Sequence, residues 1–193
     1  NAEINKFYKY LPIKKEQNFA NEDKLSYEKN FQLKNLSFKY RNGHQNIFDN
    51  FNFQIKKGNS IAIFGKSGSG KTTLINLICC FLKPTIWKIL LDEIELDDKN
   101  IRSWQKNIGL ISQDNYLLDD TLKNNILFLN NSEKIDKKKF EEAVFYSGIS
   151  EFLHKLGNGL DTQLGERGTI LSSGQIQRVA LARLLYRDPA IMI

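Results

Sequence analysis

Disulfide chemistry is the first thing this sequence lacks. Its 193 residues hold two cysteines, Cys79 and Cys80, side by side. Neighbours on a helix point about 100° apart, so the pair is arranged neither for a metal nor for a bond to each other. Core packing is the expectation, and the missing disulfide framework fits a reducing compartment. Long apolar runs are missing too: none approaches the roughly 18 residues that a membrane-spanning helix needs. Asn1 to Tyr10 lack the apolar stretch of a secretory signal. Proline is scarce, and neither an internal repeat nor a low-complexity segment interrupts the chain. No sign of charge dominates. The 28 basic and 22 acidic residues leave +6, spread along the sequence, which permits an anionic surface without demanding one.

What is present centres on Gly65-Lys66-Ser67-Gly68-Ser69-Gly70-Lys71-Thr72. This is the phosphate-loop pattern G-x-x-x-x-G-K-[ST] at every defined position. Three glycines let the backbone close around a row of phosphates where a side chain would clash. The amide N–H groups form an anion nest, and a helix starting near Lys71 adds its positive dipole end. Lys71 supplies a point charge to the outer phosphates and the Thr72 hydroxyl a ligand for Mg²⁺. The flanks agree with the motif. Ile61-Ala62-Ile63-Phe64 reads as a buried strand, and Thr73 to Ile78 as helix.

Residues 1–30 are polar and lysine-rich without a period, and read as a linker, partly ordered. Phe31, Leu33, Leu36, Phe38 and Tyr40 mark a strand, Asn42-Gly43 a hairpin turn, and Ile47 to Ile55 the returning strands. An antiparallel sheet therefore precedes the loop. Ile89–Leu91 pairs with Ile94–Leu96, and Ile108–Ser112 is a further strand, followed directly by Gln113. Residues 120–156 are mostly helical, starting from an N-cap at Thr121. Phe140, Ala143 and Val144 share one helical face; Ile149, Phe152, Leu153 and Leu156 share another. Ser172 or Ser173 caps a helix running to about Tyr186, with Val179, Leu181, Ala182 and Leu185 inward. Asp188-Pro189 ends it, and Ala190–Ile193 begins a buried strand.

Leu171-Ser172-Ser173-Gly174-Gln175, about a hundred residues after the phosphate loop, resembles the Leu-Ser-Gly-Gly-Gln signature of the ATP-binding cassette (ABC) family. The resemblance covers the chain from about Phe31 to its end. It implies an α/β fold: a P-loop NTPase core of the RecA-like kind, an N-terminal antiparallel β-subdomain, and an inserted helical subdomain. Residues 31–112 and 171–193 would form the β-subdomain and core, and residues 113–170 the helical part. By the same resemblance Tyr40 stacks on adenine. Residues Gly65 to Thr73 (Lys66, Ser67, Gly68, Ser69, Gly70, Lys71 and Thr72 between them) hold the nucleotide. Gln113 is the Q-loop glutamine that contacts Mg²⁺ and the attacking water, and Lys71 and Gln113 are the catalytic pair. Ser172, Ser173, Gly174 and Gln175 meet the γ-phosphate held by a second copy of the domain. Thr162 to Gly168 matches the exporter-type loop that touches the coupling helices of transmembrane domains.

The resemblance thus implies the ATP-binding and hydrolysing motor of an exporter, with ATP and Mg²⁺ as cofactors. Its partners are a second cassette and transmembrane domains, expected on the same polypeptide. No nucleic acid is implied, and the membrane is met only through the transporter, at its cytoplasmic face. Departures modify the expectation. Ser173 replaces the first signature glycine, so a weakened but working half-site is expected. Trp87, Glu93 and Asp120 replace turn glycines, with local strain the expected result. Both termini read as cuts in a longer polypeptide. The Asp, Glu and His that complete the family's site would lie past Ile193, so nucleotide binding with little turnover is expected of the chain as it stands. His44, His154, Trp87 and Trp104 are read as structural or solvated, and Glu166 and Arg167 fit either the exporter loop or a surface charge pair. Two alternatives remain: a soluble, non-transport ABC ATPase, and a nucleotide-binding regulatory module that does not hydrolyse. A GTPase is disfavoured because no Asn-Lys-x-Asp motif is present.

Overall fold

The computed structural model describes residues 25–41, 45–83, 86–112, 114–128 and 134–193. A four-stranded antiparallel sheet comes first, in the order β2-β1-β3-β4. Its strands are β1 (Asn30–Phe38), β2 (Phe48–Lys56), β3 (Ile86–Leu91) and β4 (Ile94–Glu95). The inward residues of β1 are Phe31 and Leu33, then Leu36 and Phe38, all buried. Strict alternation would turn the second pair outward. A register shift between Leu33 and Leu36, with Asn35 in the left-handed region at φ 50°, restores them to the same face. The Asn42-Gly43 turn lies outside the described residues.

The phosphate-loop helix α1 (Lys71–Ile78) buries Leu74, Leu77 and Ile78 against this sheet. Cys79 and Cys80 follow in the turn after it, buried and unbonded as expected. Burial pushes their thiols up to about 11 and about 12, so both stay protonated packing groups. A short helix α2 (Ile101–Gln105) carries Trp104, fully buried and stacked on Phe31 at 4.7 Å. Strand β5 (Ile108–Gly109) then pairs in parallel with β6 (Ile191–Met192).

A second apolar core holds helices α3 (Leu122–Leu127), α4 (Lys137–Tyr146) and α5 (Ser150–Leu153) against the long α6 (Ser173–Arg187). Thr121 caps α3 by accepting from the Asn124 N–H at 3.1 Å. Phe140, Ala143, Val144, Ile149 and Phe152 are buried, as their spacing predicts. On α6 the inward set differs in part. Val179 and Ala182 are buried as expected, but Leu184 and Tyr186 are the buried large residues, while Leu181 and Leu185 are half-buried. The helix is buried on two sides: Val179, Ala182 and Tyr186 face the second core, and Leu184 packs toward Gly109 and Pro189 beside β5. It ends at Asp188, left-handed at φ 50°, and passes straight into β6.

Two expectations need correction. Ile61–Phe64 is not a buried strand. It joins no ladder, and Phe64 is 89% exposed, with Ile61 at 44% and Ile63 at 36%. An apolar run becomes a strand only beside partners, and this run pairs with neither sheet among the described residues. The Ile108–Ser112 strand also shortens to Ile108–Gly109, continued by one bond from the Ile111 N–H to the Ile193 carbonyl at 2.8 Å. At the Asp92-Glu93 turn the expected strain is present: both residues take positive φ, at 47° and 77°.

Asp92 also anchors the chain entering β1. Its carboxylate accepts from three consecutive main-chain N–H groups: Glu28, Lys29 at 2.8 Å and Asn30 at 2.6 Å. Burial pushes the carboxyl up, but those donors outweigh it and hold the group below its ordinary range. A depressed carboxylate pKa stabilises the fold above the unfolded value of about 3.9 and stops doing so as pH falls through the folded value. Asp92→Asn is therefore expected to lower the melting temperature at pH 7. The gap from wild type should close as both are melted at pH values falling through 4 toward 2.

Candidate nucleotide-binding site

Gly70 is where the loop becomes helix. Its φ is +91°, and Gly68 before it has φ +79°. A Cβ on Gly70 would stand 2.9 Å from Ile47 Cγ2 and 3.2 Å from Phe48 Cζ. The start of β2 thus presses against the loop, and only glycine fits between them. A Cβ on Gly65 would meet Ser69 Oγ at 2.5 Å. The N-terminus of α1 has no side-chain cap and no acidic residue in its first turn. Its leading N–H groups are left for an anion.

Lys71 lies back across the loop. Its Nζ donates to the carbonyls of Gly65 at 2.9 Å and Lys66 at 2.8 Å. This holds the ammonium on the loop's own surface, at the place where phosphates would exchange for carbonyls. Thr72 is exposed. Thr73 is buried, and its Oγ1 lies 3.2 Å from the Tyr40 hydroxyl. Tyr40 packs edge-on against Phe38 with 43% of its surface exposed. The ring is held by Phe38 and by its hydroxyl while remaining 43% exposed, which leaves surface for stacking. The structure places Tyr40 beside the start of the phosphate-loop helix. These residues fit a nucleotide: an aromatic face, a glycine-lined turn, a lysine and an uncapped helix start.

The second motif stands apart. Leu171 is buried in the second core. Ser172 and Gln175 form a capping box: Ser172 Oγ accepts from the Gln175 N–H at 3.3 Å, and Gln175 Oε1 from the Ser172 N–H at 2.8 Å. Both side chains are thus occupied in starting α6. Ser173 and Gly174 sit exposed in its first turn, with N–H groups that lack intrahelical acceptors. No hydrogen bond or ion pair joins residues 172–175 to residues 65–73 among the described residues. Gln113 lies outside the described residues. Glu166 and Arg167 are exposed and form no ion pair with each other, and Arg167 takes φ 54°. His154 is exposed at the end of α5, and Trp104 is a packing residue.

The sequence reading missed a polar hub beside this second motif. Arg183 donates to the Tyr116 carbonyl at 2.6 Å, to Asn125 Oδ1 at 2.8 Å and to the Asn125 carbonyl. Asn125 Nδ2 in turn donates to the Leu118 and Thr121 carbonyls, both at 3.0 Å. Burial, and after it the Arg187 charge, pull the Arg183 guanidinium down from its ordinary value, yet it stays charged at neutral pH. Two clefts open here. One, of about 430 Å³, lies between Tyr116, Arg167 and Ser173; the other, of about 480 Å³, between Leu110, Phe128 and Arg187. Asn115 lines both, and its Nδ2 is buried without a partner. The one sequence signal for the hub is Asn125, a polar residue inside the apolar stripe Leu122-Ile126.

The fold and the loop define a P-loop nucleotide-binding domain of mixed α/β class. Residues 48–193 match the family model described as ABC transporter, and the chain belongs to that family. It is 39% identical over 162 residues to "ABC transporter B family member 29, chloroplastic" of Arabidopsis thaliana, covering 84% of this chain and 26% of the relative. It is 36% identical over 179 residues to the "ATP-dependent lipid A-core flippase" of Pseudomonas aeruginosa, covering 90% of this chain and 30% of the relative. Among solved structures, a bacterial Atm1-family ABC exporter with ATP bound matches with a TM-score of 0.78 at 31% identity, over 89% of this chain and 30% of that one. The chain thus spans less than a third of the length of these relatives.

Gly70→Ala tests the close approach. Left-handed strain on a residue with a Cβ costs about 1–3 kcal/mol, and the Ile47 contact adds to it. The urea midpoint is expected to fall and ATP binding to be lost, whereas Gly68→Ala, which meets nothing within 4 Å, should bring the strain alone.

Proposed function

We propose that this chain is the ATP-binding and hydrolysing motor domain of an exporter-type ABC transporter, which exports a substrate or flips a lipid. Residues 31–193 are the cassette, and residues 1–30 lead in from a transmembrane domain on the cytoplasmic side. ATP enters with adenine on Tyr40 and its phosphates on Gly65–Thr73. Among the described residues no cluster of three or more His, Cys, Asp or Glu could hold a metal alone. Mg²⁺ therefore comes with the triphosphate, and the Thr72 hydroxyl and Gln113 are the ligands this chain offers.

The observation that carries the dimer is Gly174. Among the described residues nothing lies within 4 Å of a Cβ there, and its φ is not positive. Glycine inside a helix costs roughly 0.5–1 kcal/mol against alanine, so the fold gains nothing from it. Close approach by a group from outside explains it, and two open N–H donors at the same turn suit the γ-phosphate of a second cassette. The exposed Tyr116 and Phe128, with the orphan amide of Asn115 between the clefts, suit contact with the transmembrane part.

Calorimetry with Mg-ATP tests the site, and light scattering tests the dimer. Binding is expected for the wild type, to collapse in Lys71→Ala and to weaken in Tyr40→Ala. Tyr40→Phe, which loses only the Thr73 contact, should bind nearly as well as wild type. Gly174→Ala should keep ATP binding and melt no lower than wild type, yet lose ATP-dependent dimers. A Gly174→Ala chain that dimerises normally would sink the head-to-tail reading. Wild type that folds but does not bind would sink the motor reading as a whole.

A further inference from the structure

Helix α2 has only five residues, yet three parts of the protein are joined through it and the two residues after it. The first is the incoming segment. Ser103 Oγ accepts from the Leu25 N–H at 2.8 Å, and Asn107 Nδ2, one turn on, donates to the Leu25 carbonyl at 2.8 Å. Tyr27 lies edge-on to Trp104 at 6.3 Å. The second is the far end of the phosphate-loop helix. Trp104 Nε1 donates to the Ile78 carbonyl at 2.9 Å, and Gln105 Nε2 to the Cys79 carbonyl at 3.1 Å. Those are carbonyls a helix end leaves without internal partners. The third is the parallel strand pair: the Asn107 carbonyl accepts from the Ile191 N–H at 2.9 Å.

The hub is buried. Ser103, Trp104 and Asn107 are each no more than 3% exposed. If the segment at Leu25 moved away, the Asn107 amide would lose its best acceptor in a dry site. A buried donor left without its acceptor is unfavourable, so the side chains would shift to recover it. Trp104 would shift too, since Tyr27 packs on its ring. Trp104 grips the last turn of α1, and α1 is a single eight-residue helix whose other end is Lys71. A rigid rod of about 12 Å then connects the hub to the phosphate loop.

We infer that Trp104 and Asn107 are positioning residues, through which the segment entering at Leu25 sets the placement of α1 and so the affinity of the loop for nucleotide. This rests on the reading of residues 65–73 as the ATP site. The larger cleft at Asn115 reaches this hub at Gln105 and Lys106, whereas Ser103, Trp104 and Asn107 line neither cleft. Linkage makes the effect reciprocal: if the entering segment changes nucleotide affinity, nucleotide must change the hold on that segment by the same factor.

Hydrogen exchange on the unmutated 193-residue chain, with and without saturating Mg-ATP, reads this directly. Expected are protection of the amides from Gly68 to Thr72 and an about fivefold slowing of the Leu25 amide, at the lower end of measured couplings. Protection of the loop with an unchanged Leu25 amide overturns the inference and leaves the nucleotide site standing. Protection at neither place overturns both. In Asn107→Ala the loop should still be protected but the response at Leu25 should vanish, and its persistence would overturn the assignment to Asn107. Trp104→Phe, which keeps a packed ring and the Leu25 N–H acceptor but loses the bond to the Ile78 carbonyl, serves the same purpose if Asn107→Ala does not fold.

Discussion

No side chain fits at residue 70, and much of the protein is arranged around that fact. The left-handed glycine lets the loop turn into α1 while the beginning of β2 closes in to van der Waals contact. That contact brings the hairpin, and with it Tyr40, to the loop. It also leaves the helix start without a side-chain cap, because the residue in the capping position has no side chain to offer. One missing Cβ thus sets the closeness of two elements, the place of the aromatic ring and the availability of donors for an anion.

The two helix starts that carry the motifs solve the same problem in opposite ways. At α1 the donors are left free and the lysine folds over the loop. At α6 two side chains, Ser172 and Gln175, spend themselves on a reciprocal cap. That fixes the turn firmly, and the exposed part is reduced to Ser173 and Gly174. The first start is built to surround a ligand within the chain. The second is a stiff, blunt surface suited to meeting one from outside.

The sequence made the first of these legible because every element of the phosphate loop is a matter of residue identity at fixed spacing. The start of α6 was legible as a cap at Ser172 or Ser173, and the structure chooses Ser172 in a reciprocal box with Gln175. The helical faces of α4 and α5 followed from period alone. What escaped was set by neighbours rather than by residues. Ile61–Phe64 has the composition of a buried strand, but burial is conferred by adjacent strands. The single-residue shift at Asn35 could not be read, because a left-handed asparagine looks like any other. Arg183 escaped because it bonds main-chain carbonyls, which every residue possesses. Leu184 and Tyr186 displaced Leu181 and Leu185 from the deepest positions because α6 is covered on two sides, by the second core and by the Gly109–Pro189 region beside β5.

Asp188 has a mechanical meaning that its conformation alone conceals. It is the left-handed joint between a fifteen-residue helix and the strand pair β5-β6. A helix of that length is a bar of about 22 Å. Pivoting it by only about 5° at the joint swings Ser173 through about 2 Å, enough to make or break a hydrogen bond. The strand end of the bar barely moves, so the face that would meet a partner can travel while the sheet stays still.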